Sequence, residues 1–219
     1  MWFETGGHGG QIGYDTHWIT SLLCDDVPPF LRALYNGYAA DIRPWQDENI
    51  GSWPHRKGYD FRAGRLVQGD VANRPASYVF SEHPGGGGDL EKTFEEAAFI
   101  ERVRSMLVME IGDSLCIARA TPRAWLEPGK KIGVKNAPTY FGTVAYEIVS
   151  DVDNGKINAT VEIPSRKPPK EVILRFRHPN TAPIKSVTVN GKPWTVFKED
   201  KETITLKDLT GTVAVTAQY

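Results

Sequence analysis

Past residue 113 the chain stops repeating in helical steps and begins to alternate in twos. Eight short segments, 114–119, 131–135, 142–150, 156–163, 171–178, 186–190, 202–206 and 212–217, alternate apolar and polar side chains, which is the period of a strand with one buried face. Turn residues separate them. Asp153-Asn154-Gly155 and Asn190-Gly191 suit tight primed hairpin turns, because asparagine and glycine accept the left-handed backbone such turns require. Short strands at this regular spacing predict an antiparallel β-sandwich over residues 113–219. Trp125 and Trp194 are isolated in that stretch and are expected to pack between its layers. The run from Asp151 to Gly155 lacks the alternating oxygen ligands and terminal glutamate of a calcium loop, so a turn accounts for it.

Upstream the periodicity is helical. Trp18, Ile19, Leu22 and Leu23 form one apolar stripe, with Asp15 placed to cap the helix that carries it. Asp25 and Asp26 precede Pro28-Pro29, a cap followed by proline in a first turn, and Phe30, Leu31, Leu34, Tyr35 and Tyr38 continue as a second stripe. These two helices should form a hairpin. Residues 41–88 are punctuated throughout by proline and glycine and predict a long irregular insert, with a short strand near 77–81. Asp89 then follows four glycines and is expected to cap the longest helix, with Phe99, Ile100, Val103, Met106 and Leu107 as its buried face and its end at Gly112-Asp113. The fold class predicted is α+β, with a helical region over 1–112 packed on a sandwich over 113–219.

The chemistry is concentrated before the first helix. Five of the eight residues from Gly6 to Gly13 are glycine, which lets the backbone take positive φ and lets a ligand approach it closely. His8, Gln11, Asp15, His17 and Trp18 lie in or just after this loop, so acid, base and stacking surface are adjacent in sequence. Composition narrows the partners. A formal net charge of −1 without a basic run excludes the electrostatic footprint of a nucleic-acid binder. No apolar stretch is long enough for a membrane span, and the first residues lack the basic-then-apolar order of an export signal. Cys24 and Cys116 are read as unpaired, each as a small buried hydrophobe.

Three runs, 7–18, 30–41 and 122–130, resemble the C-terminal part of large bacterial glycoside-hydrolase-like proteins, in which a six-hairpin (α/α) toroid is followed by a β-sandwich. The resemblance covers nearly all of the chain. It implies carbohydrate chemistry, and it implies that three or four helices here stand for about twelve in a full toroid. The chain then reads as the tail of a longer protein starting at an internal methionine, and the location of that parent is left open, export included. Helices cut from a toroid expose apolar flanks, so a two-fold homodimer is the simplest way to cover them.

A glycosidase needs two carboxylates, about 5–5.5 Å apart for retention or about 6.5–9.5 Å for inversion. Asp15 is the candidate base, Glu4 the candidate acid, and His17 completes the catalytic set. His8 and Gln11 are expected to hold sugar hydroxyls, with Trp18, Trp45 and Trp53 as stacking faces. Asp15 as a helix cap alone is the competing reading. Two other functions stay open. His8, Asp15 and His17 are ligand types for a divalent metal ion, which would make the protein an ester or lactone hydrolase with a metal-bound water. A non-catalytic carbohydrate-binding module is the third. The absence of a Gly-x-Ser-x-Gly elbow argues against a conventional serine esterase.

Overall fold

The computed structural model describes residues 17–44, 59–60, 65–66, 78–83, 87–90 and 93–219. The protein has an α+β fold, and the chain forms two compact units, Met1–Val103 and Arg104–Tyr219.

In the first unit, helices α1 (His17–Leu23) and α2 (Val27–Asp41) form the expected hairpin. Asp25 takes the left-handed conformation at φ 61. Around it Asp26 N–H donates to Ser21 O at 2.8 Å and Asp25 N–H to Leu22 O at 3.2 Å, the paired bonds that close a helix and reverse the chain. Trp18 and Leu22 are buried from α1, and Val27, Phe30, Ala33 and Leu34 from α2. The predicted stripes were too wide: Leu23 and Tyr35 are about half exposed, because a single helix contact buries positions four apart and leaves the next residue 100° round the axis.

Within the predicted irregular insert, the described residues hold short strands: β1 (Ile42–Pro44), β2 (Tyr59–Asp60), β3 (Arg65–Leu66), β4 (Tyr78–His83) and, running past it, β5 (Gly87–Leu90). β1, β4 and β5 make one antiparallel sheet and β2 pairs with β3. Asp89 therefore sits inside a strand and caps no helix, since pairing of Leu90 with Ser81 takes precedence over its capping preference. Helix α3 (Thr93–Leu107) starts four residues later. Ile100, expected in its buried face, is 67% exposed, whereas Arg102, Ser105 and Met106 are buried.

The helix also ends earlier than expected. Residues read as its last turn form β6 (Val108–Ile111), which pairs with β7 (Ser114–Ile117) through Gly112, whose φ of 58 suits a two-residue turn. The remaining strands are β8 (Lys131–Thr139), β9 (Gly142–Asp151), β10 (Lys156–Ile163), β11 (Glu171–Arg175), β12 (Ser186–Val189), β13 (Lys192–Trp194), β14 (Phe197–Lys198), β15 (Thr203–Lys207) and β16 (Gly211–Gln218). One sheet has the order β13-β12-β16-β10-β9-β8, the other β14-β15-β11-β7-β6. Every pair in them is antiparallel except β7 with β11, which run parallel. That exception follows from the long excursion through β8, β9 and β10 of the other sheet between them.

Alternation sets the core. Ile157, Ala159, Val161 and Ile163 of β10 and Val213, Val215 and Ala217 of β16 belong to one buried cluster with Leu115 and Ile117 of β7, Val172 and Leu174 of β11, and Ile204 and Leu206 of β15. Each large aliphatic side chain so buried contributes about 1.5–3 kcal/mol against exposure. Asn190 and Gly191, at φ 50 and 75, form the expected two-residue primed turn between β12 and β13. The β9–β10 connection is longer than expected: a 3-10 turn, Val152–Asn154, ends on Gly155 at φ 67, and Asn154 Nδ2 donates to Asp151 Oδ1 at 2.7 Å. Trp194 packs on the core and its Nε1–H donates to Thr205 O at 3.0 Å. Trp125 does not pack between layers. It is 37% exposed, because the 3-10 turn Arg123–Leu126 buries Leu126 in its place. Cys24 and Cys116 form no disulfide; Cys116 is buried as expected, whereas Cys24 is exposed.

Candidate functional site

Of the residues singled out from the sequence, Glu4, His8, Gln11, Asp15, Trp45 and Trp53 lie outside the described residues. His17 is the first residue of α1. Trp18 is 7% exposed, and the Arg102 guanidinium lies over its ring at 5.8 Å. One face of the indole is thus already taken by a cation, and the side chain anchors α1 where an open stacking face was expected. Among the described residues no three histidine, cysteine, aspartate or glutamate side chains gather as ligands for a metal ion.

The described residues assemble a different polar centre at one end of the sandwich. β14 and β15 are joined by residues 199–202, and Glu202 closes that connection in the left-handed conformation at φ 53. Its carboxylate turns back onto Arg123: Nη1 donates to Oε1 at 2.7 Å and Nη2 to Oε2 at 2.8 Å. Arg123 Nη1 also donates to His178 O at 2.7 Å, and the His178 N–H donates to Glu202 Oε1 at 3.2 Å. Two buried arginines, one ending β11 and one two residues past it, complete the frame. Arg175 donates to Arg119 O at 2.7 Å and Lys201 O at 3.1 Å, and Arg177 to Thr121 O at 2.9 Å. Burial brings Arg177 down to about 10, Arg123 and Arg175 push it the same way, and Glu202 opposes them.

His178 has a defined tautomer. Its Nδ1 accepts the N–H of Asn180 at 3.1 Å and of Ala182 at 3.4 Å, so the proton of the neutral ring is on Nε2. Pro179 follows, and Thr181 N–H donates to His178 O at 3.1 Å, a turn that proline favours at its second position. The ring packs against Tyr219 with centroids 4.6 Å apart and planes tilted by 41°. Burial lowers the His178 pKa, Glu202 raises it and Arg123 lowers it again, leaving it below the ordinary value. Burial likewise pushes the Tyr219 phenol up.

This frame borders two depressions. A cleft of about 690 Å³ is lined by Arg123, Phe197, Glu199, Asp200 and Glu202 among others. A narrower cavity of about 370 Å³ is lined by Glu127, Pro128, Val152, Asp153, His178 and Asn180 among others. Arg123 and Glu202 saturate one another, so they act as a clamp that fixes the loops. His178, Asp153 and Asn180 offer donors and acceptors to a bound molecule. None of these residues stands out in the sequence: Arg123 and Glu202 are 79 positions apart and Arg123 and His178 are 55 apart. The one local signal is His178-Pro179-Asn180, a turn sequence that carries an imidazole.

No protein-family model matches the chain, and no curated protein matches it as a relative. Solved structures share partial likeness. A cycloalternan-forming enzyme from Listeria monocytogenes, in complex with pentasaccharide substrate, matches 48% of this chain and 10% of its own at 10% identity and a TM-score of 0.33. An uncharacterized protein from Listeria monocytogenes EGD-e matches with the same coverage, identity and score. A glycoside hydrolase matches 57% of this chain and 19% of its own at 13% identity and a TM-score of 0.34. The chain thus spans between 10% and 19% of the length of these structures. Proteins related to glycoside hydrolases are among those it partly resembles, and no toroid is formed by the described residues, which hold three helices.

Proposed function

We propose that the protein is a glycoside-hydrolase-like hydrolase acting on a carbohydrate or a related small polar substrate through carboxylates beside the glycine-rich loop. Asp15 acts as base and Glu4 as acid, with His17 beside them. His8 and Gln11 hold substrate hydroxyls, and Trp45 and Trp53 stack on the ring. The observation that supports this reading is the junction of loop and helix. A run in which five of eight residues are glycine leads through Asp15 directly into α1, and α1 is anchored by buried Trp18 and Leu22. A glycine-rich sequence shortly before a fixed helix suits a site that must bind closely and still hold its acid and base in place.

The test is activity on a glycan panel, with short-chain esters and lactones alongside, before and after dialysis against a chelator. Release of reducing ends that survives the chelator is the expected result. Ester or lactone cleavage that disappears with the chelator and returns with a divalent ion would replace this reading with metal-assisted hydrolysis. Sugar binding without any turnover would replace it with a binding module.

A further inference from the structure

We propose that the cavity bordered by His178, Asp153 and the 3-10 turn carrying Trp125 is a binding site for a neutral sugar unit, built from residues other than those of the glycine-rich run. It rests on the proposed function only for the choice of sugars as the ligand class.

Three observations converge on it. His178 is only 7% exposed and lines the cavity. Both of the N–H groups that reach its ring bond to Nδ1, and Nε2–H has no hydrogen-bond partner among the described residues. A nearly buried, directionally fixed donor is thus left for a ligand. Next, the cavity of about 370 Å³ pairs acceptors with apolar surface: Asp153 and Glu127 carry carboxylates, and Pro128 and Val152 carry hydrocarbon. A pyranose offers the same alternation, with hydroxyls round the ring edge that both donate and accept and C–H groups on its faces. Carboxylates without a lining lysine or arginine repel an anion, and Lys130 already neutralises Glu127 at 2.6 Å. An anion is thereby disfavoured, and the alternation of hydroxyl partners with hydrocarbon matches a neutral sugar.

Trp125 is the third observation. The residue is 37% exposed, and its chain neighbour Ala124, though not Trp125 itself, lines the cavity. The turn carrying it is held firmly: Leu126 is fully buried, Ser150 Oγ donates to Leu126 O at 2.6 Å, and Lys130 Nζ donates to Ala124 O at 3.1 Å. An exposed aromatic on a rigid turn stacks on a sugar face with little ordering cost.

The experiment titrates the full chain with methyl glucoside, methyl galactoside and maltose, and with glucosamine and glucuronate as cationic and anionic analogues, read by ligand-observed and tryptophan signals. We expect saturable binding of at least one neutral sugar with Kd of about 1 mM and glucuronate about tenfold weaker. Trp125→Ala and Asp153→Asn should each weaken binding about tenfold at an unchanged melting temperature. No saturable binding of any neutral sugar would overturn the site, as would binding indifferent to both substitutions or tighter binding of glucosamine. Trp125→Ala, read for both binding and hydrolysis, separates the two proposals. Sugar binding lost in Trp125→Ala with hydrolysis intact supports a separate site, and hydrolysis in the parent without this binding sinks the site alone. Binding that responds to Trp125→Ala in a chain that hydrolyses nothing sinks the hydrolase reading alone.

Discussion

Arg123 and Glu202 meet in a two-bond fork, at 2.7 and 2.8 Å, across 79 residues of chain. The fork ties the start of a 3-10 turn to the β14–β15 connection, and it draws in His178 through both its carbonyl and its N–H. One carboxylate therefore sets the position of three segments. Two parallel charge-assisted bonds of this kind are stronger and more directional than neutral ones.

Glu202→Gln should destabilise the sandwich unit. The amide keeps one acceptor and turns donors toward a guanidinium that has only donors, leaving Arg123 half matched. Loss of a hydrogen bond to a charged group, with both side chains partly exposed at 29% and 13%, suggests about 2 kcal/mol. Urea unfolding of the full chain checks it, and a shift below about 0.5 kcal/mol would show that the fork adds little beyond the value of an exposed ion pair.

Stability should fall as pH drops from the ordinary histidine value of 6.5 through the lower folded value, in a way that depends on His178. Its folded pKa lies below the ordinary 6.5 because burial disfavours the imidazolium, Glu202 opposes that, and Arg123 reinforces it. The unfolded chain therefore takes up the proton first as pH drops. The contribution is whole above the unfolded pKa and is lost as pH falls through the folded one. Protonation also removes the acceptor that Nδ1 presents to the Asn180 and Ala182 N–H groups. In His178→Gln, which keeps an acceptor and does not titrate, the unfolding midpoint should change less over that interval. Equal slopes in both proteins would reject the assignment.

A second titration belongs further down the scale. Burial alone would raise Glu110, but hydrogen bonds and charge from Arg104, with the N–H groups of Glu110 and Tyr140, hold it below 4.5. Arg104 contacts both carboxylate oxygens at 3.0 Å. Stability from this pair is present above the ordinary glutamate range and is lost as pH falls through the folded value. Glu110→Gln should accordingly flatten the acid limb of the stability curve and leave the interval governed by His178 unchanged, which unfolding midpoints measured in both ranges would show.

Gly191→Ala should destabilise through the backbone alone. Gly191 has φ 75, and a Cβ there would meet nothing within 4 Å, so no clash adds to the cost of a left-handed alanine, about 1 kcal/mol. Asn190→Ala should cost more. Asn190 is also left-handed, at φ 50, and its Oδ1 accepts the Ala214 N–H at 2.9 Å, tying the β12–β13 turn to β16. Thermal unfolding that ranks the two variants the other way would contradict this account.

What could be read in advance follows the range of the interactions. β10 was legible residue for residue because Ile157, Ala159, Val161 and Ile163 are buried in strict alternation, and the Asn190-Gly191 turn because its conformation is a property of two adjacent residues. Val108–Ile111 was not legible: it continues a helical stripe, and only pairing with Ser114–Ile117 makes it a strand. Asp89 failed for the same reason, as a good cap claimed by a strand partner. The centre built from Arg123, His178 and Glu202 needs contacts over 55 and 79 residues, which no local pattern encodes. Glycine-rich residues 6–13 are the reverse case, conspicuous in sequence and outside the described residues.

Asp15→Asn decides how that loop is used. Asparagine retains a capping oxygen and ranks with aspartate at a helix N-cap, so a purely capping role predicts a loss of well under ~1 kcal/mol and unchanged turnover. A base, nucleophile or metal ligand at this position depends on the negative charge, which the substitution removes. Both readings therefore predict nearly normal melting, and they differ only in activity. We expect the variant to melt within a few degrees of the parent and to hydrolyse no substrate that the parent hydrolyses. Full activity would move the chemistry elsewhere. Asp25 and Asp26, in the turn between α1 and α2, and Asp41 at the end of α2 would be the next carboxylates to replace.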